Sequence, residues 1–224
     1  MTGPAQKEAG SPSSLRLVLT LAIAGLVSGV AIIGIYESTL PTITANKARE
    51  LRAAVFKVLP GVSQMQALVH RDGTLVVTEE PGKDEPVVYG GYDEQGSFVG
   101  YAIPGAGPGF QDTIGLLYGY TPDRQLVLGM EILESRETPG LGDKIYKDEV
   151  WVSAFSALSI DPEIVAVKKG TASDRNEIDA ITGATISSKA VVRIINETHT
   201  AWAERLPAPG AEPGLEDGGT GEQP

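Results

Sequence analysis

The chain has 224 residues and a formal net charge of −11, because 29 Asp and Glu residues outnumber 18 Lys and Arg residues. This balance argues against binding to nucleic acid or to an anionic lipid surface. The sequence has no cysteine, which excludes disulfides and cysteine-ligated clusters. Its two histidines, His70 and His199, are too far apart to predict a metal site. We expect no metal centre, and any redox chemistry would depend on an organic cofactor.

The N-terminal part of the chain predicts a membrane anchor. Residues 1–14 are rich in Gly, Pro, Ser and Ala and predict a flexible leader. Residues 17–36 include no formally charged residue, and a helix of that length would span about 30 Å, the hydrocarbon thickness of a bilayer. A signal peptide would have an apolar region of about 7–15 residues and then a small-residue cleavage site. The longer run without such a site predicts an uncleaved anchor over residues 15–37.

Basic residues flank the predicted anchor on both sides. Lys7 and Arg16 precede it, and Lys47, Arg49 and Arg52 follow it. Lysine and arginine near the ends of a membrane helix tend to stay in the cytoplasm, so an asymmetric count would set the orientation. This count is nearly balanced and leaves both orientations open.

Residues 38–60 predict a helical stalk between the anchor and a globular domain. A Pro-Gly pair would end this helix. Its apolar residues fit one helical face: Ala48, Leu51, Val55 and Val58.

Residues 61–206 predict one globular domain of the α+β class with a largely antiparallel sheet, because strand-like runs follow one another with helical patterns before and after them. We predict strands at 74–78, 87–92, 98–103, 114–120, 126–134 and 164–167, and helices at 148–158 and 187–206. The glycine-rich run 104–109 predicts a flexible loop. Residues 207–224 are rich in Pro, Gly and Glu and predict a disordered acidic tail.

The segment 179–188 carries the most specific motif of the chain. It reads Asp-Ala-Ile-Thr-Gly-Ala-Thr-Ile-Ser-Ser and continues into a helical pattern. Gly183 and Ala184 leave the backbone open to a ligand. Unpaired N–H groups at the start of the helix would favour an anion such as phosphate, with the Thr185 hydroxyl beside it. The same residues are also typical of a plain turn in which one of the two serines caps the helix.

A second block, residues 137–145, reads Glu-Thr-Pro-Gly-Leu-Gly-Asp-Lys-Ile. Pro139 and Gly140 fit a type II turn, with glycine at the position that needs a positive φ. That turn would direct Thr138 and the Leu141 backbone toward a ligand. A sharp turn after a strand, with no binding role, fits the same residues.

Together the two blocks resemble the FMN-binding domain family. The segment 179–188 is similar to the flavinylation motif of that family, in which the last Thr carries FMN through a phosphoester bond formed by a dedicated flavin transferase. The block 137–145 is similar to a second stretch of the family, and the order and separation of the blocks agree. With its membrane segment, the chain resembles the G subunits of Rnf-type ion-translocating ferredoxin:NAD oxidoreductases. The C subunits of Na-translocating NADH:quinone reductases are the nearest alternative.

The resemblance implies a role for each matching residue. Thr185 would carry covalent FMN, and the flavin ring would lie near the block 137–142. Cofactor binding is implied for Thr182, Gly183, Ala184, Thr185, Ser187, Ser188, Glu137, Thr138, Leu141 and Gly142. Recognition by the transferase is implied for Asp179, Thr182, Gly183, Ala184 and Thr185. The resemblance also implies a place in the cell inner membrane, with the globular domain on the periplasmic side.

Two functions from different classes follow. In the first, the protein is a membrane-anchored flavoprotein that relays electrons within an ion-translocating complex, with other membrane subunits and the flavin transferase as partners. No residue pattern indicates a general base or a nucleophile, so it would be an electron carrier rather than an enzyme with its own substrate. In the second, it is a membrane-anchored binding or assembly protein of the same fold without flavin. Flavin content distinguishes the two.

Overall fold

The computed structural model describes residues 13–82 and 85–216. Nearly all of the predicted leader and the end of the predicted tail, from residue 217, lie outside the described residues. The chain divides into two compact units, one up to Ala48 and the other from Arg49 onward. A single helix, α1 (Ser14–Val58), contributes to both units.

The first unit consists, in its described part, of the N-terminal portion of α1. The large apolar side chains of this portion are exposed from Leu15 to Ile43, as expected of a surface in contact with lipid. Among the described residues, α1 is the one helix long and apolar enough to cross a membrane, with a mean hydropathy of 2.5 over its apolar stretch. The helix continues through Pro41, so no break separates the predicted anchor from the predicted stalk.

The second unit is built on a seven-stranded sheet. Its strands are β1 (Gln64–Arg71), β2 (Thr74–Val77), β3 (Val87–Tyr92), β4 (Phe98–Pro108), β5 (Thr113–Thr121), β6 (Leu126–Glu134) and β7 (Leu158–Ser159), in the spatial order β2-β1-β3-β4-β5-β6-β7. Two short helices, α2 (Lys144–Lys147) and α3 (Glu149–Ser153), follow β6; β8 (Val165–Val167) then pairs in parallel with β9 (Glu177–Asp179), and helix α4 (Thr185–Ala203) comes last. All neighbours in the large sheet are antiparallel, which confirms the predicted α+β class.

The large sheet has an apolar core on each face, because successive side chains of a strand point to opposite sides. On one face, Ile114 and Leu116 of β5 belong to the larger core, which includes buried residues of α3 and α4. On the other face, Leu117 belongs to a smaller core with Val55 and Val58 from the last turns of α1. Both valines are fully buried. The sheet is therefore covered by α4 on one side and by the end of α1 on the other.

The glycine-rich run 104–109 was predicted as a flexible loop, and this prediction is wrong: the run is mostly the second half of β4, paired with β5. A Cβ atom on Gly105 would lie 2.6 Å from Thr198 Oγ1, and one on Gly107 would lie 2.8 Å from Ile194 Cγ1. Both distances are too short for a real Cβ atom. The glycines therefore allow α4 to approach the sheet closely and do not serve flexibility.

Two predicted helices have different bounds in the structure. The helix predicted at 148–158 is the short α3, which ends at Ser153; Ala157 then has a positive φ of 66°, and Leu158 enters β7. The last helix begins at Thr185 instead of residue 187. Strands β1, β7 and β9 and helix α2 were not predicted.

Residues 213–216, part of the segment 207–224 that was predicted to be a disordered tail, make hydrogen bonds to the sheet. Gln66 Nε2 donates hydrogen bonds to Tyr92 Oη (2.6 Å) and to Gly214 O (2.9 Å). Tyr92 Oη donates to Pro213 O at 2.6 Å, and Glu216 N donates to Gln66 Oε1 at 3.1 Å. Gln66 and Tyr92 are both buried. Residues 213–216 are therefore held through their backbone against β1 and β3.

Candidate functional site

A cavity of about 330 Å³ lies where three segments of the second unit meet. These segments are the connection between β4 and β5, the turn that follows β6, and the start of α4. The lining residues are Phe110, Thr138, Leu141, Gly142, Gly183, Ala184, Thr185, Ile186 and Ser187. The two sequence blocks, more than 30 residues apart, thus form one site.

The start of α4 presents unpaired backbone donors at this cavity. Ala184 is the N-cap residue and makes no side-chain capping bond. The backbone N–H of Ser188 donates to Ala184 O at 2.9 Å, as the fourth residue after the cap should. The three N–H groups before it, those of Thr185, Ile186 and Ser187, precede the first such bond and have no carbonyl partner within the helix. An exposed Thr185 hydroxyl at such a helix start is well placed beside an anion.

The two serines of the motif do not cap α4, contrary to the simpler interpretation of the sequence. Ser188 Oγ accepts a hydrogen bond from Ile181 N at 3.1 Å and donates to Ala184 O at 2.9 Å. Because both partners lie in the preceding turn, Ser188 fixes the turn against the helix. Gly183 in that turn has a φ of +85°, in the left-handed region that favours glycine.

The turn after β6 agrees with its prediction. Leu141 N donates to Thr138 O at 3.1 Å, which closes a four-residue turn. Gly140 stands at its third position with a φ of 78°, as a type II turn requires. The Leu141 side chain is 51% exposed although it lies at the cavity. Thr138 Oγ1 donates to Gln111 Oε1 at 3.3 Å, so this turn contacts the connection between β4 and β5.

Glu137 lies behind the cavity and does not line it. Its side chain is buried, and its Oε1 accepts hydrogen bonds from Phe110 N (2.8 Å) and Gln111 N (3.0 Å). Its Oε2 accepts from Ser187 Oγ at 2.6 Å. Burial alone would raise the pKa of this carboxyl group, but the hydrogen bonds from the Ser187 hydroxyl and the Gln111 and Phe110 backbone outweigh burial and lower it below the usual value.

Asp179 also lies outside the cavity lining. Its Oδ1 accepts from Thr171 N at 3.1 Å and Ala172 N at 3.0 Å. Hydrogen bonds from the backbone of Gly170 and Ala172 lower the pKa of this carboxyl group. Its carbonyl oxygen accepts from Trp151 Nε1 at 2.8 Å. Trp151 is buried in the larger core, and Asp179 shapes the loop between β8 and β9.

Most of the predicted cofactor-binding residues come together at the cavity. Those that line it are Thr138, Leu141, Gly142, Gly183, Ala184, Thr185 and Ser187, whereas Thr182, Ser188 and Glu137 do not. Thr182 is exposed, and the other two are buried behind the lining. Sequence reasoning missed Phe110 and Ile186, which are 61% and 58% exposed. Ile186 could have been found from its place directly after Thr185, and Phe110 from its place directly after the glycine-rich run.

The lining suits a flavin phosphate in its chemistry. No charged side chain is among the lining residues, so the backbone donors at the start of α4 are what the site offers to an anion. Phe110, Leu141 and Ile186 offer apolar surface to a flat aromatic ring. The combination of an anion-binding helix start with an exposed apolar rim fits FMN.

Similarity to solved structures agrees with this fold. The structure matches the C subunit of the Na(+)-translocating NADH-quinone reductase from Parabacteroides distasonis with a TM-score of 0.57 and 18% sequence identity, covering 76% of this chain and 97% of that one. It matches NqrC from Shewanella oneidensis with a TM-score of 0.56 and 19% identity, covering 68% and 91% of the two chains.

Sequence similarity identifies the family. Residues 109–199 match the FMN-binding domain. The chain is 33% identical to the G subunit of the Na(+)-translocating ferredoxin:NAD(+) oxidoreductase complex of Acetobacterium woodii, over 81% of this chain and 87% of that protein. It is 32% identical to the G subunit of the ion-translocating oxidoreductase complex of Escherichia coli, over 85% and 91% of the two chains. The chain therefore belongs to the family of G subunits of ion-translocating oxidoreductase complexes, membrane-anchored proteins with an FMN-binding domain.

Proposed function

We propose that this protein is a membrane-anchored flavoprotein subunit of an ion-translocating oxidoreductase complex, and that it relays electrons through FMN attached to Thr185 by a phosphoester bond. The observation that carries the proposal is the position of Thr185. Its exposed hydroxyl stands at an uncapped helix start, at the edge of a cavity without charged lining residues. The other membrane subunits of the complex and a flavin transferase are the partners that this function needs.

Each part of the site has a separate task in this proposal. The backbone N–H groups at the start of α4 stabilise the phosphate, since the positive end of the helix dipole lies there. Phe110, Leu141 and Ile186 pack against the ring and exclude water from part of it. Bound FMN supplies one- and two-electron redox chemistry. The lining contains no carboxylate, imidazole or amine that would act as a general base, which supports an electron carrier over an enzyme with its own substrate.

Asp179 and Thr182 are proposed to be recognised by the transferase and not to contact the cofactor. Asp179 holds the loop between β8 and β9, and Thr182 is exposed outside the cavity lining. A carboxylate next to a phosphate would be repelled, so a role before the ester forms suits Asp179 better. Gly183 and Ala184, which directly precede Thr185, share this proposed recognition role.

The direct experiment is the intact mass of the full chain after co-expression with a flavin transferase. The proposal predicts an increase by one FMN less water, and flavin fluorescence that survives denaturing gel electrophoresis. A protein that folds and assembles but carries no flavin would instead support the second function, a binding or assembly protein of the same fold.

The orientation in the membrane is a further part of the proposal. The family resemblance places the second unit on the periplasmic side, while the flanking charges leave both orientations open. A reporter that is active only outside the cytoplasm, fused after the C-terminus, should give a signal. A reporter signal from a cytoplasm-specific enzyme at the same position would overturn this orientation.

A further inference from the structure

The three segments around the cavity are joined by one buried side chain. Glu137 is 5% exposed. One carboxylate oxygen accepts from the backbone of the β4–β5 connection, at Phe110 and Gln111, and the other accepts from Ser187 in the first turn of α4. Glu137 itself directly precedes the turn from Thr138 to Leu141. A single carboxylate thus contacts every segment that lines the cavity.

Two glycines make room for this carboxylate. A Cβ atom on Gly142 would lie 2.5 Å from Glu137 Oε2 and 2.9 Å from Glu137 Cβ. A Cβ atom on Gly109 would also overlap Glu137 Oε1. Since any larger residue at either position would displace the carboxylate, the local sequence around the cavity is adapted to it.

The connection to Thr185 runs through Ser187. The two residues share the first turn of α4, so the hydrogen bond between Ser187 and Glu137 fixes where the Thr185 hydroxyl stands relative to Phe110. Without the carboxylate, the backbone N–H groups of Phe110 and Gln111 would lose these partners, and this link between the β4–β5 connection and Glu137 would be removed.

We propose that Glu137 is a positioning residue that assembles the cavity before the cofactor arrives and presents Thr185 to the transferase, without contacting the flavin itself. The second half of this proposal rests on the proposed function, because it assumes that Thr185 is the attachment site. The first half concerns the protein alone and is testable without flavin.

The chain offers a matched control in Glu177. Its Oε2 also accepts from two backbone N–H groups, Ser173 (2.9 Å) and Asp174 (3.3 Å), and from the Ser173 hydroxyl (3.3 Å). These partners lie in one local loop outside the cavity lining. Glu177→Ala therefore removes the same kind of hydrogen bonds without touching the site.

Hydrogen exchange of the full chain in detergent micelles, without flavin, tests the assembly of the cavity. Glu137→Ala should speed amide exchange at residues 110–111 and in the first turn of α4 by about tenfold or more, because charge-assisted hydrogen bonds are lost. Glu177→Ala should speed exchange only at residues 173–174. Ser187→Ala removes one bond alone and keeps the test decisive if Glu137→Ala fails to fold. Unchanged exchange at the cavity in both site variants would overturn the proposal.

Flavin transfer tests the presentation of Thr185. Because only the assembled fraction of the acceptor binds productively, Glu137→Ala should raise the apparent KM of the transferase for this protein about tenfold while kcat changes less. Glu137→Gln should restore values near those of the parent. Its amide oxygen can accept from Phe110 and Gln111, and its amide nitrogen can donate to Ser187 Oγ. Attached flavin should keep the parent spectrum in Glu137→Gln.

The outcomes separate the two proposals. If the parent chain takes no flavin on Thr185, the proposed function fails, and hydrogen exchange still decides on Glu137. If the parent is flavinylated and Glu137→Ala matches it in both KM and exchange, Glu137 has no positioning role. If KM rises equally in Glu177→Ala, the effect is general destabilisation and the proposal is refuted.

Discussion

The turn 138–142 and the segment 179–185 meet at one cavity but contribute different chemistry. The turn supplies apolar surface through Leu141 and a shape set by Gly140. The segment supplies backbone donors and the hydroxyl of Thr185 at the start of α4. Changes in the two places should therefore have separable effects, on the environment of the ring in one case and on attachment in the other.

The carboxylates of Glu137 and Asp179, one from each motif block, also have different structural roles. Glu137 is buried and joins three parts of the chain, whereas Asp179 holds one local loop. Both belong to motif blocks, yet neither lines the cavity. Membership of a motif does not distinguish a ligand contact from a structural support, and hydrogen-bond partners do.

The largest effect is expected from Thr185→Val, which removes the attachment oxygen at nearly constant side-chain shape. Covalent flavin should be lost completely, as measured by intact mass and in-gel fluorescence. Thr200→Val is the matched control, because Thr200 is exposed on the same helix but does not line the cavity; it should still become flavinylated. Full flavin attachment in Thr185→Val would contradict the assignment.

The turn tests the other side of the comparison. Gly140 has a φ of 78° and open space around it, so Gly140→Ala should cost on the order of 1 to 2 kcal/mol of unfolding free energy through backbone strain alone. Denaturant titration gives this value. Gly115→Ala is the control, since a Cβ atom there would meet Glu134 Cβ at an ordinary 3.5 Å. Equal destabilisation by both substitutions would show that the positive φ of Gly140 does not cause the loss of stability.

Smaller effects are expected from the side chains of the turn. Thr138→Ala and Leu141→Ala should leave flavin attached and shift its reduction potential. A lost interaction of about 1 kcal/mol corresponds to roughly 20 mV for a two-electron cofactor. Spectroelectrochemical titration is the measurement. If both variants keep the parent potential and visible spectrum, the turn has no part in the redox site.

The smallest effect concerns pH. The pKa of Glu137 is lowered in the folded protein from its ordinary 4.5, so its charged form stabilises the fold above that value. This contribution is lost as the pH falls through the folded pKa. The difference in unfolding free energy between the parent and Glu137→Gln should be constant from about pH 6 to 8. Below about pH 5 the parent should lose stability relative to Glu137→Gln. A difference that is independent of pH would contradict ionisation of the buried carboxylate.

Local patterns predicted much of this molecule. The apolar run of α1, the strand-like runs of β3 to β6 and the Pro-Gly turn depend on near neighbours in sequence, and the structure has all of them. Strand β1 was missed because a polar residue, Gln66, is buried in it, and only the fold supplies its hydrogen-bond partners in Tyr92 and the C-terminal tail. The role of the glycines in β4 depends on Thr198 and Ile194, about ninety residues away, and no local pattern encodes that contact.

Most residues that line the candidate cavity were predicted from the sequence, but the residues that support the cavity from behind were not distinguished from those that line it. The motif located Thr185, and the turn chemistry located Leu141. The support by Glu137 needs the β4–β5 connection and the start of α4 in one place, which only the fold provides. Phe110 was missed for the same reason, because only the fold shows that its exposed ring borders the cavity.

The buried residues at the C-terminal end of α1 determine where a truncated, water-soluble fragment of this protein should begin. Ala54, Val55, Val58 and Leu59 lie in the smaller core and cover one face of the sheet. A fragment that begins at residue 61 would expose this face to water, and large exposed apolar patches promote aggregation. A fragment that begins at Arg49, the first residue of the second unit, keeps that cover and omits the apolar stretch of the helix. The water-soluble form of this protein should therefore start with two to three turns of what is, in the intact chain, the membrane helix.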